Sequence, residues 1–346
     1  MVRAVIDIGS NSIKMRVARV EGGKVSVLRD ETEVVRLGRG MSGTGLLSDE
    51  SMRLSCETVA RMVRKAEHYG AEIFIAGTMA LRTAGNAGDF VRMVREATGL
   101  DVHVFTGEEE ARYSWRGASD GFGLDGDSVM FDTGGGSTEF VAGHDGEMRR
   151  AVSVPIGAVN LSERFFCGHY TTFSKKVCDE AVSYVLDVLS GNGIETFRAG
   201  SSNVIAVGGG VVAMSGVKNA CEEFIPSRLH GSVLTQKDVV RQIRLYSSLT
   251  LKERENIIGL PASRADVILG SACIVYAALK ALGAPSCTVS INGLRHGLLL
   301  SDIYCGVINS RRGENYCCLS YCPTERWQSC PLTTCREILT CPPNLQ

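Results

Sequence analysis

Short apolar runs separated by glycine-bearing turns open the chain: residues 2–20 read as strand, turn and strand, and Glu21-Gly22-Gly23-Lys24 leads into a third strand over 25–28. The period then changes. Ser48 caps a predicted helix over 49–69 whose stripe Met52, Cys56, Val59, Met62, Val63 and Ala66 has helical spacing and which Gly70 ends. A strand over 73–76, a helix over 87–98 and a strand over 102–105 follow, and Thr106 opens a further helix. The pattern then restarts with an apolar strand ending in Asp132, a glycine turn, a second strand to Gly143, the turn His144-Asp145-Gly146-Glu147 and a strand over 151–154. Beyond it come a helix over 178–189, a strand over 203–207 ending in Gly208-Gly209-Gly210, a helix from Thr235, a long helix over 262–282, a strand over 287–291 and a last helix.

The restart is also a repeat of residues. Asp7, Gly9 and Ser12 recur as Asp132, Gly134 and Ser137, each at an offset of 125 (132 − 7, 134 − 9, 137 − 12), and in both places the motif joins two apolar strands. A strand that delivers a carboxylate into glycines brings bare backbone N–H groups within reach of an anion. A lone glycine turn is weak evidence, but two turns in matching strand order predict a duplicated α/β domain with two phosphate loops facing each other across a cleft.

Other candidates surround these turns. Arg36 and Arg39 stand among glycines, and Thr78 and Arg82 follow a strand end; guanidinium groups there suit phosphate oxygens, although solvated surface arginines have the same pattern. Glu108, Glu109 and Glu110 lie in the first turn of the helix after Thr106, where carboxylates also complement the helix dipole. Thr106 and Glu109 have capping-box spacing, and Glu108 and Glu110 lie about 100° to either side, so helix geometry leaves both as candidates to enter the cleft.

Composition narrows the class. The 346 residues are 44% hydrophobic and 22% charged with a net charge of −1, which fits a globular protein with sizeable cores and excludes a generally nucleic-acid-coating surface. The longest uncharged apolar-rich run, Val267 to Leu279, is too short to span a bilayer, and the start of the chain enters a strand at once, so a cytoplasmic protein is expected. Six of the 13 cysteines (Cys56, Cys167, Cys178, Cys221, Cys273, Cys287) are spread through regular elements, whereas seven crowd between Cys305 and Cys341 without a paired C-x-x-C pattern. That tail is read as a redox-sensitive extension, with an all-thiolate zinc site as the alternative.

Taken together, Asp7 to Ser12, Val35 to Gly38, Thr78 to Arg82, Gly107 to Arg112, Asp132 to Glu139, Pro155 to Leu161, Gly208 to Gly210, Arg264 to Asp266 and Gly293 to Arg295 resemble the exopolyphosphatase and guanosine pentaphosphatase family, within the actin, sugar-kinase and heat-shock ATPase superfamily, over residues 1 to 303. The resemblance implies two actin-like (ribonuclease H-like) α/β domains, 1–118 and 119–303, with the active site between them and the cysteine-rich tail 304–346 beyond. It also implies Mg²⁺ (or Mn²⁺) dependence and removal of a terminal phosphate from inorganic polyphosphate or pppGpp. By position, Glu110 matches the family's catalytic glutamate, Asp132 and Glu139 its other acidic positions and Asp7 its first-loop carboxylate. Glu110 is therefore expected to deprotonate the attacking water with Glu139 beside it, and Asp7, Asp132 and Glu139 to hold the metal directly or through its waters. Gly9, Ser10, Asn11 and Ser12, with Gly134, Gly135, Gly136 and Ser137, are expected to cradle the terminal phosphate and Arg36 and Arg82 to carry the next ones. Thr138 is expected to bind phosphate too, and Gly209, in the third glycine turn, to cradle another phosphate or the base and ribose of a nucleotide, with close helix-on-strand packing as the alternative.

Ile291-Asn292 and His296 depart from the family's pattern, and the chain resembles a short member without additional C-terminal helical domains, for which weaker processivity on long chains is expected. A homodimer is expected by the same analogy, with neither nucleic acid nor membrane as partner. A non-catalytic polyphosphate or nucleotide sensor and a sugar-kinase-like transferase are the readings from other classes.

Overall fold

The computed structural model describes residues 1–167, 171–197 and 203–301. The expected cysteine-rich tail, 304–346, lies outside the described residues.

The first layer is a mixed sheet. Strands β1 (Val2–Ile8), β2 (Ser12–Glu21) and β3 (Lys24–Val34) form antiparallel hairpins, helix α1 (Asp49–Glu67) crosses to β4 (Glu72–Gly77), and the short α2 (Met79–Thr83) and α3 (Ala87–Thr98) lead to β5 (Val102–Val104). The strand order is β3-β2-β1-β4-β5. Ser48 caps α1 as expected, its hydroxyl accepting from the Ser51 N–H at 3.2 Å. β3 runs far past the expected 25–28, because Arg29 to Glu33 are polar residues on an edge strand. Their charges are met by neighbours: Asp30 by Arg16, Glu31 by Lys65 and Glu33 by Arg61.

Helix α4 (Gly107–Ser119) hands the chain to the second sheet, built from β6 (Asp127–Thr133), β7 (Thr138–His144) and β8 (Glu147–Val154), then helices α5 (Ala158–Phe165) and α6 (Lys175–Gly191), strand β9 (Asn203–Val207), α7 (Gly209–Lys218), β10 (Val233–Thr235), α8 (Gln236–Ser248), α9 (Ile268–Ala281), β11 (Ser286–Val289) and α10 (Leu294–Leu299). Its order, β10-β11-β9-β6-β7-β8, repeats that of the first sheet with β10 added at one edge. The single helix expected over 262–282 is two elements, a 3₁₀ turn at Ala262–Arg264 and then α9. The Arg254 guanidinium donates to the Ala265 carbonyl at 3.0 Å inside the protein, and the chain turns tightly there, with the Val267 N–H reaching the Arg264 carbonyl.

Two helices exchange sides. α4 buries Ala111, Trp115 and Ala118 against Met130, Val141, Ile205 and Val207 of the second sheet, so a boundary at 118 falls at the far end of a helix already packed on that layer. α10 returns to the first sheet, where the Arg3 guanidinium bonds the carbonyls of Leu299 (2.8 Å) and Ser301 (2.9 Å). α4 and α10 cross backbone to backbone: a Cβ on Gly117 would lie 2.1 Å from the Gly293 carbonyl oxygen, and one on Gly297 1.8 Å from that of Tyr113. No side chain fits at either position.

Gly117→Ala is therefore expected to destabilise the fold by about 3 kcal/mol in chemical denaturation, the upper range for forced overpacking. Gly88→Ala, on α3 with nothing within 4 Å of the added carbon, is expected to leave stability unchanged or raise it by up to about 1 kcal/mol. Equal unfolding midpoints for the two variants would remove the crossing as a determinant of the fold.

Candidate active site

Both hairpins at the cleft are built alike. Asp7 pairs across β1–β2 with Lys14, and Asp132 across β6–β7 with Glu139, so each repeat presents two charged residues side by side above its turn. The turns close with the same bond, Gly9 N–H to the Ser12 carbonyl (3.1 Å) and Gly134 N–H to that of Ser137 (2.9 Å). They also meet: a Cβ on Gly135 would lie 3.2 Å from the Asn11 nitrogen, and one on Gly136 2.9 Å from the Ser10 hydroxyl oxygen. Asp7, Gly9, Ser10, Asn11, Ser12, Asp132, Gly134, Gly135, Gly136, Ser137, Glu139 and Gly209 all line one cavity of about 870 Å³.

The glutamate triplet is sorted by its surroundings. Thr106 and Glu109 form the capping box, with the Glu109 carboxylate accepting from the Thr106 N–H at 2.8 Å. Glu108 is exposed and pairs with Arg112 (3.2 Å). Glu110 is the one that lines the cavity, its carboxylate bonded to Arg82 at 3.0 Å. Two serines hold the second-layer carboxylates: Ser114 Oγ donates to Asp132 Oδ2 and Ser153 Oγ to Glu139 Oε1, each at 2.7 Å.

Three expected phosphate contacts lie elsewhere. Thr138 is fully buried and its hydroxyl donates to the Ile156 carbonyl (2.7 Å). Arg36, in the left-handed region at φ 52°, sends its guanidinium to Asp266 (2.8 Å) rather than into the cavity. Arg82 reaches the site only through Glu110, its other bond going to the Phe105 carbonyl (2.8 Å).

The cavity's cations are instead Lys14, Arg16, Arg264 and Arg295. Arg16 (2.6 Å) and Arg295 (2.5 Å) share the single carboxylate of Asp30, and the Arg264 guanidinium lies against Gly209, within 2.1 Å of where a Cβ would sit. Arg264 and Arg295 stand in stretches that carry the family resemblance, and Lys14 follows Asp7 by the same seven residues that separate Glu139 from Asp132; none of the three was expected to meet phosphate.

A sequence model of the Ppx/GppA phosphatase family matches residues 16–304. The chain belongs to the Ppx/GppA family. It is 26% identical over 313 residues to the bifunctional 3-dehydroquinate synthase/phosphatase of Fusobacterium nucleatum, covering 87% of this chain and 46% of that protein. With the guanosine-5'-triphosphate,3'-diphosphate pyrophosphatase of Photobacterium profundum it shares 29% identity over 302 residues, covering 86% and 58%. The crystal structure of the Aquifex aeolicus Ppx/GppA family member is 28% identical, with a TM-score of 0.72 over 88% of this chain and 97% of that one. Ppx/GppA family members are phosphoanhydride hydrolases, and their solved structures share the two-domain actin-like fold. The chain spans about half the length of the curated relatives it matches.

Electrostatics in this Ppx/GppA site are dominated by crowded acids. Burial and the neighbouring Glu139 push Glu110 well above the ordinary carboxylate range; burial and Asp132 push Glu139 up to about 7; burial raises Asp132. Burial also lowers Lys14, although Asp7 lies 3.9 Å away. Among the described residues no three carboxylate, histidine or cysteine side chains come together as a ready metal cage. Oxygen-only donors spread around a cleft still suit a hard divalent ion that keeps several waters and takes one or two carboxylates.

A carboxylate raised on folding holds its proton longer in the native state than in the unfolded chain, so stability falls as pH rises through the window from the ordinary carboxylate range to about 7. The cation-free protein is expected to melt at a lower temperature at pH 8 than at pH 5.5, with millimolar Mg²⁺ restoring the difference at pH 8. A melting curve that rises between these pH values would contradict the raised carboxylates.

Proposed function

We propose that this protein hydrolyses the terminal phosphoanhydride of inorganic polyphosphate, releasing orthophosphate by in-line attack of water. The observation that carries the reading is that Glu110, near Glu139 and Asp7, lines one cavity with Asp132 and two touching glycine turns. Phosphoryl transfer needs little covalent help from a protein; it needs positioning, charge neutralisation and an oriented water. N–H groups of Gly9 to Ser12 and of Gly134 to Ser137 bind the terminal phosphate oxygens. Glu110 accepts the proton of the attacking water, its carboxylate aimed by Arg82 and its affinity for protons raised by burial and by Glu139. Lys14, Arg264 and Arg295 meet the phosphates that follow. Asp7, Asp132 and Glu139 would hold Mg²⁺ or Mn²⁺, which when bound neutralises charge on the phosphoryl oxygens.

The second reading, a pppGpp phosphohydrolase, rests on the other arm of the same cavity. Phe224 and Ile258, 63% and 56% exposed, line that arm together with Glu222, Glu223 and Glu255. Carboxylates repel a polyanion, whereas an apolar shelf beside them accepts a flat ring with N–H donors. The name of the Photobacterium profundum relative is consistent with it.

Glu110→Gln is expected to lower phosphate release by ~10²–10⁴ without lowering the melting temperature. Near-wild-type release would exclude Glu110 as the base. Phe224→Ala separates the two substrates: with polyphosphate preferred, turnover of short and long chains stays within about twofold, and a selective rise in KM for pppGpp supports the second reading instead.

A further inference from the structure

α4 carries the base, but one turn further along the same face it carries a second polar residue that the reaction as described does not use. Ser114 follows Glu110 by four residues, so the two side chains stand one above the other on the helix. Ser114 is completely buried. A serine inside a helix ordinarily turns back to bond a carbonyl of the preceding turn, as Ser119 does on this same helix, where its Oγ donates to the Trp115 carbonyl at 2.7 Å. Ser114 instead donates across to strand β6, to Asp132 Oδ2 at 2.7 Å. Gly293 comes near the same oxygen, and a Cβ on it would lie 3.6 Å away.

We propose that Ser114 is a positioning residue that fixes the Asp132 carboxylate in register with Glu110, so that the cation held by Asp132 and the water held by Glu110 keep a constant separation. The proposal rests on the reading of Asp132 as a cation ligand. α4 packs on the second sheet through Ala111, Trp115 and Ala118, and Trp115 Nε1 donates to the Gly146 carbonyl at 2.8 Å, which ties the helix to the turn between β7 and β8. The Ser114 hydroxyl is the directional contact from the helix to the Asp132 carboxylate. One oxygen of Asp132 is committed to it, leaving the other for the cavity that Asp132 lines. The glycine turns that grip phosphate belong to the hairpins and not to α4, so loss of the hydroxyl is felt in turnover and in cation binding more than in substrate affinity.

The test uses the full chain with Ser114→Ala, Ser114→Thr and Ser114→Cys, and Ser119→Ala as the control hydroxyl on the same helix. Mn²⁺ binding is titrated without substrate by electron paramagnetic resonance, and kcat and KM are measured on polyphosphate. Ser114→Ala is expected to raise the Kd for Mn²⁺ about tenfold and lower kcat by a similar factor, with KM within about threefold of wild type, the size of effect expected when a hydrogen bond to a charged group is lost. Ser114→Thr, which retains the hydroxyl, restores both; Ser114→Cys, which keeps the volume but donates weakly, falls between; Ser119→Ala matches wild type. The proposal is overturned if Ser114→Ala keeps wild-type Kd and kcat, or if the Ala and Cys variants lose activity only in proportion to a fallen melting temperature. Should the wild-type protein itself bind no Mn²⁺, the cation reading fails, and the kcat-against-KM split of the Ala and Cys variants still decides the role of Ser114.

Discussion

Gly117 and Gly297 let α4 and α10 cross with their backbones in contact, and the meeting of Glu110 and Arg295 with the groups on the two hairpins follows from that crossing. Because the helices pass so closely, each can lie on the sheet of the opposite repeat: α4 on β6 to β8, α10 on β1 and β2. Glu110 thereby shares a layer with Asp132 and Glu139, although it precedes them in the chain. α10 in turn carries Arg295 to Asp30 and Arg16 at the mouth of the first hairpin. Side chains at the crossing would separate the helices, and with them the base from the acids it works beside.

Against this geometry the charges are set in opposition. Each repeat offers the same two positions above its turn, yet the first holds an acid and a lysine where the second holds two acids. The second layer therefore gathers negative charge, and burial raises Asp132, Glu139 and Glu110 together. A cleft with that excess is poorly suited to a bare polyanion and well suited to one that arrives with a divalent cation. Lys14, Arg264 and Arg295 line the same cavity, and on the proposed reading they would meet the charge that a cation leaves.

How much of this could be read from the sequence depended on the range of the interaction. The repeat from Asp7 to Asp132, the cap at Ser48 and the Thr106–Glu109 box are local patterns, and the strands, turns and helix starts they predict are where the structure has them. Contacts made by folding were not legible. β3 was expected to end at Leu28, because the charged residues beyond it find Arg16, Arg61 and Lys65 only after pairing. Arg36 looked like a phosphate ligand because it stands among glycines in a stretch that carries the family resemblance; Asp266 takes its charge from 230 residues away. The break before α9 likewise depends on Arg254 reaching Ala265, and Ser114 on strand β6 arriving beside α4. Glu108 and Glu110 were equivalent by helix geometry until packing turned one outward and one into the cavity.

The central claim is that water, placed by Glu110, attacks the terminal phosphorus held between the two turns. It is tested most directly by incubating the protein with Mg²⁺ and polyphosphate in H₂¹⁸O and locating the isotope by mass spectrometry. One ¹⁸O atom in each released orthophosphate, and none in the shortened chain, is the result this account predicts. Isotope appearing in the chain, or phosphate leaving only when an acceptor other than water is supplied, would contradict it.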